Sequence, residues 1–597
     1  MTPDRQTQKE TSAPILDPRL GDIEDDASST KRRSMLSLAG SLLIEISLPK
    51  LILAWILLLV LPGLLLGLVP IVVTSWIGIV TDKIASALIG IWSVVFLVAA
   101  VALGWFGWRT VARMIEKNFW ALNSIVVEPG YAGAREILRH LVETLFAKHV
   151  SDKTRAKLRA AVAAVAGALV SAVALWVLWL VWPHARLFVQ TSEITHWSDL
   201  VSVALANSIL VVTAYLAIAA LVWGVADATM DQPRGLKAFD AGQSHDRTLR
   251  VVHLSDIHIV GERYGFRIES GRSGPRGNDR LRRLFDTLQT IDNDNRLDII
   301  LITGDVTDAG ISTEWAQFFD ILADFPAFAD RTLILPGNHD LNIIDRANPA
   351  RMDLPTSPDR RLRQIRALSA MNAVQGSRVK EVDLKAGQLG ETLEEILKPH
   401  VAEMKRFADE ARPLFSDTLR TLWTRAFPMV VPPDCANGLG IIILNSNADA
   451  HFSFTNALGM VSADQVRGLK IACETYPKAC WIIALHHHVI EYPWSAKALS
   501  ERIGTALING NWFIRSLKPL AAQALLMHGH RHIDWIGECA GLRIISAPSP
   551  VMEATNEKPT AFYIHTLAID PDGLLRLRQP ERVVVEGERD DFPGSMQ

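Results

Sequence analysis

Four long apolar runs lie between residues 51 and 225, and past residue 248 short apolar runs alternate with amphipathic stretches. The long runs cover about residues 51–74, 87–108, 160–182 and 201–225. A bilayer-spanning helix takes roughly 20 mostly apolar residues, so each run is a candidate transmembrane helix. Trp76, Trp105, Trp108, Trp182 and Trp197 stand near the ends of the runs, where an interfacial belt belongs. Trp55, Trp92, Trp176 and Trp179 lie deeper and read as packing residues. Pro62 and Pro70 would kink the first run, which membrane helices tolerate. The alternative, buried helices of a water-soluble domain, needs four such stretches in succession.

The pattern beyond residue 248 is that of an α/β domain, reaching to about residue 580. Val251–Leu254, Asp298–Thr303, Ile441–Leu444, Trp481–Leu485 and Ala524–Met527 read as strands, with late strands at Arg543–Ser546, Ala561–Leu567 and Leu574–Arg578. Asp279–Thr290 and Thr313–Ala323 read as helices. Residues 341–440 are too long for a connection and read as a helical insertion, with helical pattern at Gly390–Leu397 and Val401–Leu414. The insertion is a cap over a cleft, an oligomer or membrane contact, or an excursion packed elsewhere; a cap is slightly preferred. Arg360, Arg361, Arg363 and Arg366 could meet phosphate, but a solvated face is the simpler reading.

The remaining segments are polar. Residues 1–35 read as a disordered leader, 226–247 as a linker, 260–278 as a loop near the cleft and 581–597 as a tail. Residues 36–49 could lie on the membrane surface or fray. The helical, basic stretch 109–159 either rests on anionic headgroups or forms a solvated hairpin.

Composition narrows the picture. A chain of 597 residues exceeds a single core, and a net charge of −3 carries no nucleic-acid signature. Cys435, Cys473, Cys480 and Cys539 form no paired framework and read as reduced thiols. The first apolar run starts too far in for a cleavable signal peptide. Lys31, Arg32, Arg33 and Lys50 precede the first run, and Arg109 to Arg159 hold ten basic residues between the second and third. The other two connections carry only Lys83 and Arg186. By the positive-inside rule the N-terminus, the 109–159 segment and the C-terminal domain are cytoplasmic, in a bacterial-type inner membrane.

The chemistry sits just past the strands. Asp256-Ile257-His258, Gly304-Asp305-Val306-Thr307-Asp308, Gly337-Asn338-His339-Asp340, His486-His487-His488 and Gly529-His530-Arg531-His532 each follow an apolar run of strand length. Two divalent cations about 3.5–4 Å apart need a shared anion between them, and Asp305 is the candidate bridge. Strand alternation lets Asp256 and His258 face one metal while Ile257 faces the core, and lets His530 and His532 converge. Asn338 offers a carbonyl oxygen and His487 an imidazole nitrogen. Nitrogen and oxygen donors without thiolate suit manganese, iron or zinc. Taken singly, each cluster is more simply a turn, a helix cap or core histidines; their order behind strands is what makes a site. His253 reads as a core residue, and Asn445 and Asn447 as a turn or part of the cleft wall.

These motifs resemble the calcineurin-like metallophosphoesterase family, most nearly its bacterial cyclic-nucleotide phosphodiesterase branch, over roughly residues 248–580. The resemblance implies a two-sheet α/β sandwich with the metals at one edge, here preceded by four transmembrane helices. It implies one metal at Asp256, His258, Asp305 and His532, and a second at Asp305, Asn338, His487 and His530. His339 would contact phosphate and assist the leaving group, oriented by Asp308. The family often has His-His-Pro at the fourth cluster; Val489 replaces that proline, so His486 remains a rival to His487. The expected activity is phosphoester cleavage, of a phosphodiester by preference, through in-line attack of a metal-bridging hydroxide, with cyclic nucleotides the first substrate class the resemblance implies. A phospholipid or lipid-pyrophosphate hydrolase is the second reading, given the adjacent membrane. A phospho-ligand receptor or scaffold is the reading from another class, and a complete catalytic set speaks against it. Few ionisable residues at mid-span speak against a transporter. Membrane lipid and a second copy, through the helices, are the expected partners.

Overall fold

A computed structural model describes residues 13–22, 56, 60–87, 98, 127, 130–146, 151–188, 196–241, 247–261, 277–342, 352–353, 357–410, 417–449, 451–452, 456–494, 507–552, 559–570 and 572–586. The chain divides into two compact units. One holds Met1–Glu45, Asp231–Pro493 and Gly504–Gln597; the other holds Ile46–Met230 and Trp494–Ile503.

In the second unit, three helices among the described residues are long and apolar enough to cross a membrane: Gly63–Thr81, Lys153–His184 and Trp197–Ala228. The first belongs to a helix described over Leu61–Ala87; of the 51–74 run, residues 51–55 and 57–59 lie outside the described residues. The run 87–108 lies almost wholly outside the described residues. Small residues let these helices touch through their backbones. A Cβ on Gly67 would stand 1.6 Å from the Ala204 oxygen, and one on Gly167 would stand 2.5 Å from that of Ala220. Trp176 and Trp179 are 60% and 69% exposed, so they point outward rather than into the packing expected of them. In a bilayer, which is as apolar as a protein core, large side chains would gain little by turning inward. The helix Gly133–Phe146 buries Glu136, Arg139 and Glu143. Arg159 Nε meets Glu143 Oε1 at 2.6 Å and Arg135 Nη1 meets Asp227 Oδ2 at 2.5 Å, so basic residues of this stretch are paired within the protein.

The first unit is built on two sheets. A six-stranded sheet runs Leu575–Leu577, Thr560–Ile569, Arg247–Leu254, Ile299–Ile302, Thr332–Ile334, with Glu581–Val585 also pairing Thr560–Ile569. Its last three strands in that order are parallel, Val252 opposite Ile300 and Ile302 opposite Ile334. A nine-stranded sheet has at its centre the parallel strands Leu439–Ile443, Cys480–Ala484, Ala524–His528 and Leu542–Ser546. One apolar core joins them, with Val252, Ile300 and Leu301 from the first sheet and Ile441, Ile482 and Leu525 from the second. Helices Asp279–Asp294 and Ser312–Asp324 stand where the periodicity places them.

Four segments differ from their sequence reading. Residues 341–440 are more than a helical insertion: Lys380–Asp383, Gln388–Thr392 and Met429–Val431 extend the nine-stranded sheet to its edge. Their helix Pro358–Gln375 is buried along its length, including Arg360, Arg361, Arg363 and Arg366. These guanidinium groups find partners inside, as where Arg360 Nη1 donates to Asn342 Oδ1 at 3.0 Å and Arg361 Nη1 to Gln364 Oε1 at 2.7 Å. Part of the leader is ordered on the same unit: Leu16 N donates to Ser369 Oγ at 2.8 Å, and Asp22 is buried against Arg366. The linker and the tail also join sheets, through Arg234–Gly235 against Trp535–Cys539 and through Glu581–Val585.

Candidate metal centre

The parallel strands decide where the site forms. Asp256, Asp305 and Asn338 follow the C-terminal ends of Arg247–Leu254, Ile299–Ile302 and Thr332–Ile334 in one sheet. His486, His530 and His532 follow Cys480–Ala484 and Ala524–His528 in the other. Parallel strands deliver their C-terminal residues to one edge, the usual place for ligands in such sheets. There the backbone turns sharply: Asp256 (φ 54°), His258 (42°), Asp305 (50°), His530 (79°) and His532 (50°) all adopt left-handed conformations. Each such non-glycine residue costs on the order of 1–3 kcal/mol, and five at predicted ligands mark a functional site. The turns are pinned by hydrogen bonds from Asp256 N to Gly304 O (3.0 Å), His258 N to Asp305 O (3.0 Å) and Asp308 N to Ile259 O (3.1 Å).

Donor atoms fall into three overlapping groups, each within 4.8 Å: Asp256 with His258 and His532, His258 with Asp305 and His339, and Asp305 with His486 and His530. Asp305 belongs to two of them. Its Oδ2 lies 3.2 Å from His486 Nε2 and 3.8 Å from His258 Nε2, while its Oδ1 accepts from His339 N at 2.8 Å. Asn338 Oδ1 lies 3.0 Å from His486 Nε2 and 3.0 Å from His530 Nδ1. Asp256 Oδ1 is 3.4 Å from His532 Nε2, and both its oxygens accept from His530 N. Burial alone would raise the Asp305 carboxyl, but His486, His339 and His258 around it hold it well below the ordinary range. Burial likewise disfavours a charged His486, yet Asp305 and Asp256 push it up to about 9. Burial and neighbouring histidines push His258 and His530 down, keeping them as neutral donors.

Residues 249–534 match the family described as calcineurin-like phosphoesterase. Residues 249–534 form a calcineurin-like phosphoesterase domain. It is thus the domain of a metal-dependent phosphoesterase, a hydrolase. No curated protein matches the chain. Among solved structures, a dimetal phosphatase from Danio rerio aligns at 13% identity and a TM-score of 0.32, covering 57% of this chain and 99% of its own. The NAD nucleotidase of Haemophilus influenzae aligns at 12% identity and 0.28, covering 57% of each chain, so this chain spans little more than half of that protein. The family implies divalent metal ions, and the donors of the phosphoesterase domain fit them: buried carboxylates, imidazoles and an amide oxygen, with no thiolate.

Within the phosphoesterase domain, eight of the nine residues singled out as ligands or catalytic groups stand around Asp305 or beside its neighbours. The ninth, His487, does not join the donor groups. Its Nδ1 lies 2.9 Å from Ser446 Oγ, whereas His486 takes the place at Asp305. Thr303 O, 2.9 Å from His486 Nδ1, fixes that ring with Nε2 toward the centre. Asp308 also differs in means. Its carbonyl, not its carboxylate, is the group at His339 Nδ1 (2.7 Å), and its Oδ1 faces His258 Nδ1 at 3.2 Å. Asp340, seen in the sequence only as the end of its motif, ties two motifs together. It accepts from Gly337 N and from Thr307 N, both at 2.8 Å, and from Thr307 Oγ1 at 2.6 Å. Burial and Asp305 raise it to about 6. Asn447 closes the wall behind, donating to Pro336 O at 3.1 Å. His253 meets Thr303 Oγ1 at 3.0 Å inside the core.

Proposed function

We propose that the protein is a membrane-anchored phosphohydrolase that cleaves a phosphodiester at the edge where Asp256, His258, Asp305, Asn338, His486, His530 and His532 converge. The carrying observation is the crowding of imidazole, amide and carboxylate donors onto Asp305 by strained turns. Divalent cations held there would supply Lewis acidity toward phosphoryl oxygens and lower the pKa of water. His339 lies beside this set, its ring 4.5 Å from that of His258. The Asp308 carbonyl accepts from Nδ1, which leaves Nε2 to face the leaving oxygen; the imidazolium form of His339 would give its Nε2 proton to that oxygen and return to the neutral ring. Asp305 also anchors the His339 backbone, so the acid and the metal bridge share one support.

The helices are read as the anchor, with both chain ends cytoplasmic. Lysine and arginine placement supports this, and so does the ordered leader. Residues 13–22 pack on the catalytic unit, so in this reading an even number of crossings separates them from residue 231. The full chain in detergent should hydrolyse bis-p-nitrophenyl phosphate when Mn²⁺ is added. Asp305→Asn should lose on the order of 10³ of that rate, the scale of removing a principal electrostatic group. Turnover by this variant at the wild-type rate refutes the bridge.

A further inference from the structure

The ordered piece of leader is fastened to the loop that orients His339. Asp22 and Arg366 are 5% and 4% exposed at their side chains, and Nε and Nη2 of the guanidinium donate to the two carboxylate oxygens. Ser312 Oγ adds a third donor to Asp22 at 2.9 Å. The remaining arm of Arg366, Nη1, donates to Gly310 O at 3.0 Å. Gly310 sits at φ 68° directly over the turn that carries His339: a Cβ there would stand 2.5 Å from the Asp340 oxygen and 3.1 Å from that of His339. Two residues before it, Asp308 O receives the His339 Nδ1 proton. The loop is otherwise held by Arg363 at Ala309 O and by Glu314, which accepts from Ala309 N at 2.9 Å.

The rest of the leader is built to stay in place. Asp17 accepts from Arg19 N at 3.0 Å and starts the turn Pro18–Leu20. Arg19 pairs with Asp320 on the helix Ser312–Asp324. Ile15 and Leu16 pack against the core, and Leu16 N is bonded to Ser369. The segment therefore bridges two helices that flank the catalytic loop.

We infer that residues 13–22 of the same chain form a strap for the active centre, with Asp22 a positioning residue. The carboxylate fixes the direction of Arg366, Arg366 fixes the 308–312 loop, and the loop sets His339. A bidentate pair supplies direction as well as attraction, and a buried guanidinium that loses its carboxylate reorients toward any other acceptor. The inference rests on the role proposed for His339.

The test compares the full chain in detergent with Asp22→Asn and Asp22→Glu, reading amide exchange over residues 305–312 and turnover of bis-p-nitrophenyl phosphate with Mn²⁺. Asp22→Asn should raise exchange in that peptide about tenfold and lower kcat about tenfold, with KM changed less than twofold and the acid limb of the pH–kcat profile displaced. Asp22→Glu should restore part of both. Ser369→Ala, which loosens the leader at Leu16 without touching the loop, should move exchange in the same direction by less. Wild-type exchange in Asp22→Asn overturns the strap, as does raised exchange with unchanged kcat. Exchange needs no turnover, so an inert wild-type protein would refute the phosphohydrolase reading while the exchange data still decided for or against the strap.

Discussion

Replacing Gly337 with alanine tests the geometry of the bridge in one methyl group. The glycine sits at φ −92° and ψ −177°, which any residue can adopt, so the backbone does not resist the change. Space does. A Cβ would stand 2.0 Å from Asp305 Oδ1, 2.2 Å from Asp305 N and 2.7 Å from Asp305 Cγ. Such contacts essentially never fall below 3.0 Å, so Asp305 must retreat by about 1 Å. One of the clashing atoms is backbone, which no side-chain rotation relieves. Overpacking of this kind costs about 1–3 kcal/mol of stability. A misplacement of about 1 Å in a catalytic array costs on the order of 10² in rate, or about 2.7 kcal/mol of barrier. Gly337→Ala should therefore lower kcat/KM for bis-p-nitrophenyl phosphate about 100-fold and reduce bound manganese, measured by mass spectrometry of the purified protein. Gly133→Ala, where nothing lies within 4 Å, is the control and should leave both unchanged. Wild-type activity and metal content in Gly337→Ala would refute the close approach of these two motifs.

Two further outcomes separate neighbouring residues and charge states. On the proposed assignment, His486→Ala should cost on the order of 10–100-fold in metal affinity or more, whereas His487→Ala, whose Nδ1 lies at Ser446, should lose less; equal losses would favour His487 as a ligand. Glu314 is raised to about 8 by burial, against an ordinary 4.5, so the native state keeps a proton that the unfolded state has released. Its contribution is whole below about pH 4.5 and is lost as pH rises to about 8. The melting temperature of Glu314→Gln relative to wild type should therefore climb between pH 5 and 8, and a flat difference would show that the carboxyl is ionised in the fold.

The residues that gather at the site were legible in the sequence, although left-handed turns past the strand ends, and not strand alternation, bring them together. Asp256 with His258 and His530 with His532 lie two apart beyond apolar runs, and the observed turns place both pairs at the centre. Which of three adjacent histidines enters was not legible, because each ring's direction depends on the turn after Ala484 and on Ser446, which is remote in sequence. Asp308 was legible as the partner of His339, but the group it uses was not, because that group is a backbone carbonyl and every residue has one. The helix Pro358–Gln375 reads as solvated because it carries Arg360, Arg361, Arg363 and Arg366, yet its arginines are buried on carbonyls and carboxylates. One of those carboxylates, Asp22, is 344 residues away from its arginine. The strands Lys380–Asp383 and Gln388–Thr392 contain Lys, Glu and Gln and lie toward a sheet edge, where no apolar run announces them.

Asp22 also sets an order of assembly. It leaves the ribosome 290 residues before Ser312, and Leu16 leaves 353 before Ser369. At about 5–20 residues per second, the first-made piece waits roughly 15–70 s for the groove it will fill. The apolar helices are made during that interval. Seating of the N-terminal turn is therefore a late act of biogenesis, and a soluble fragment started at residue 231 would never perform it.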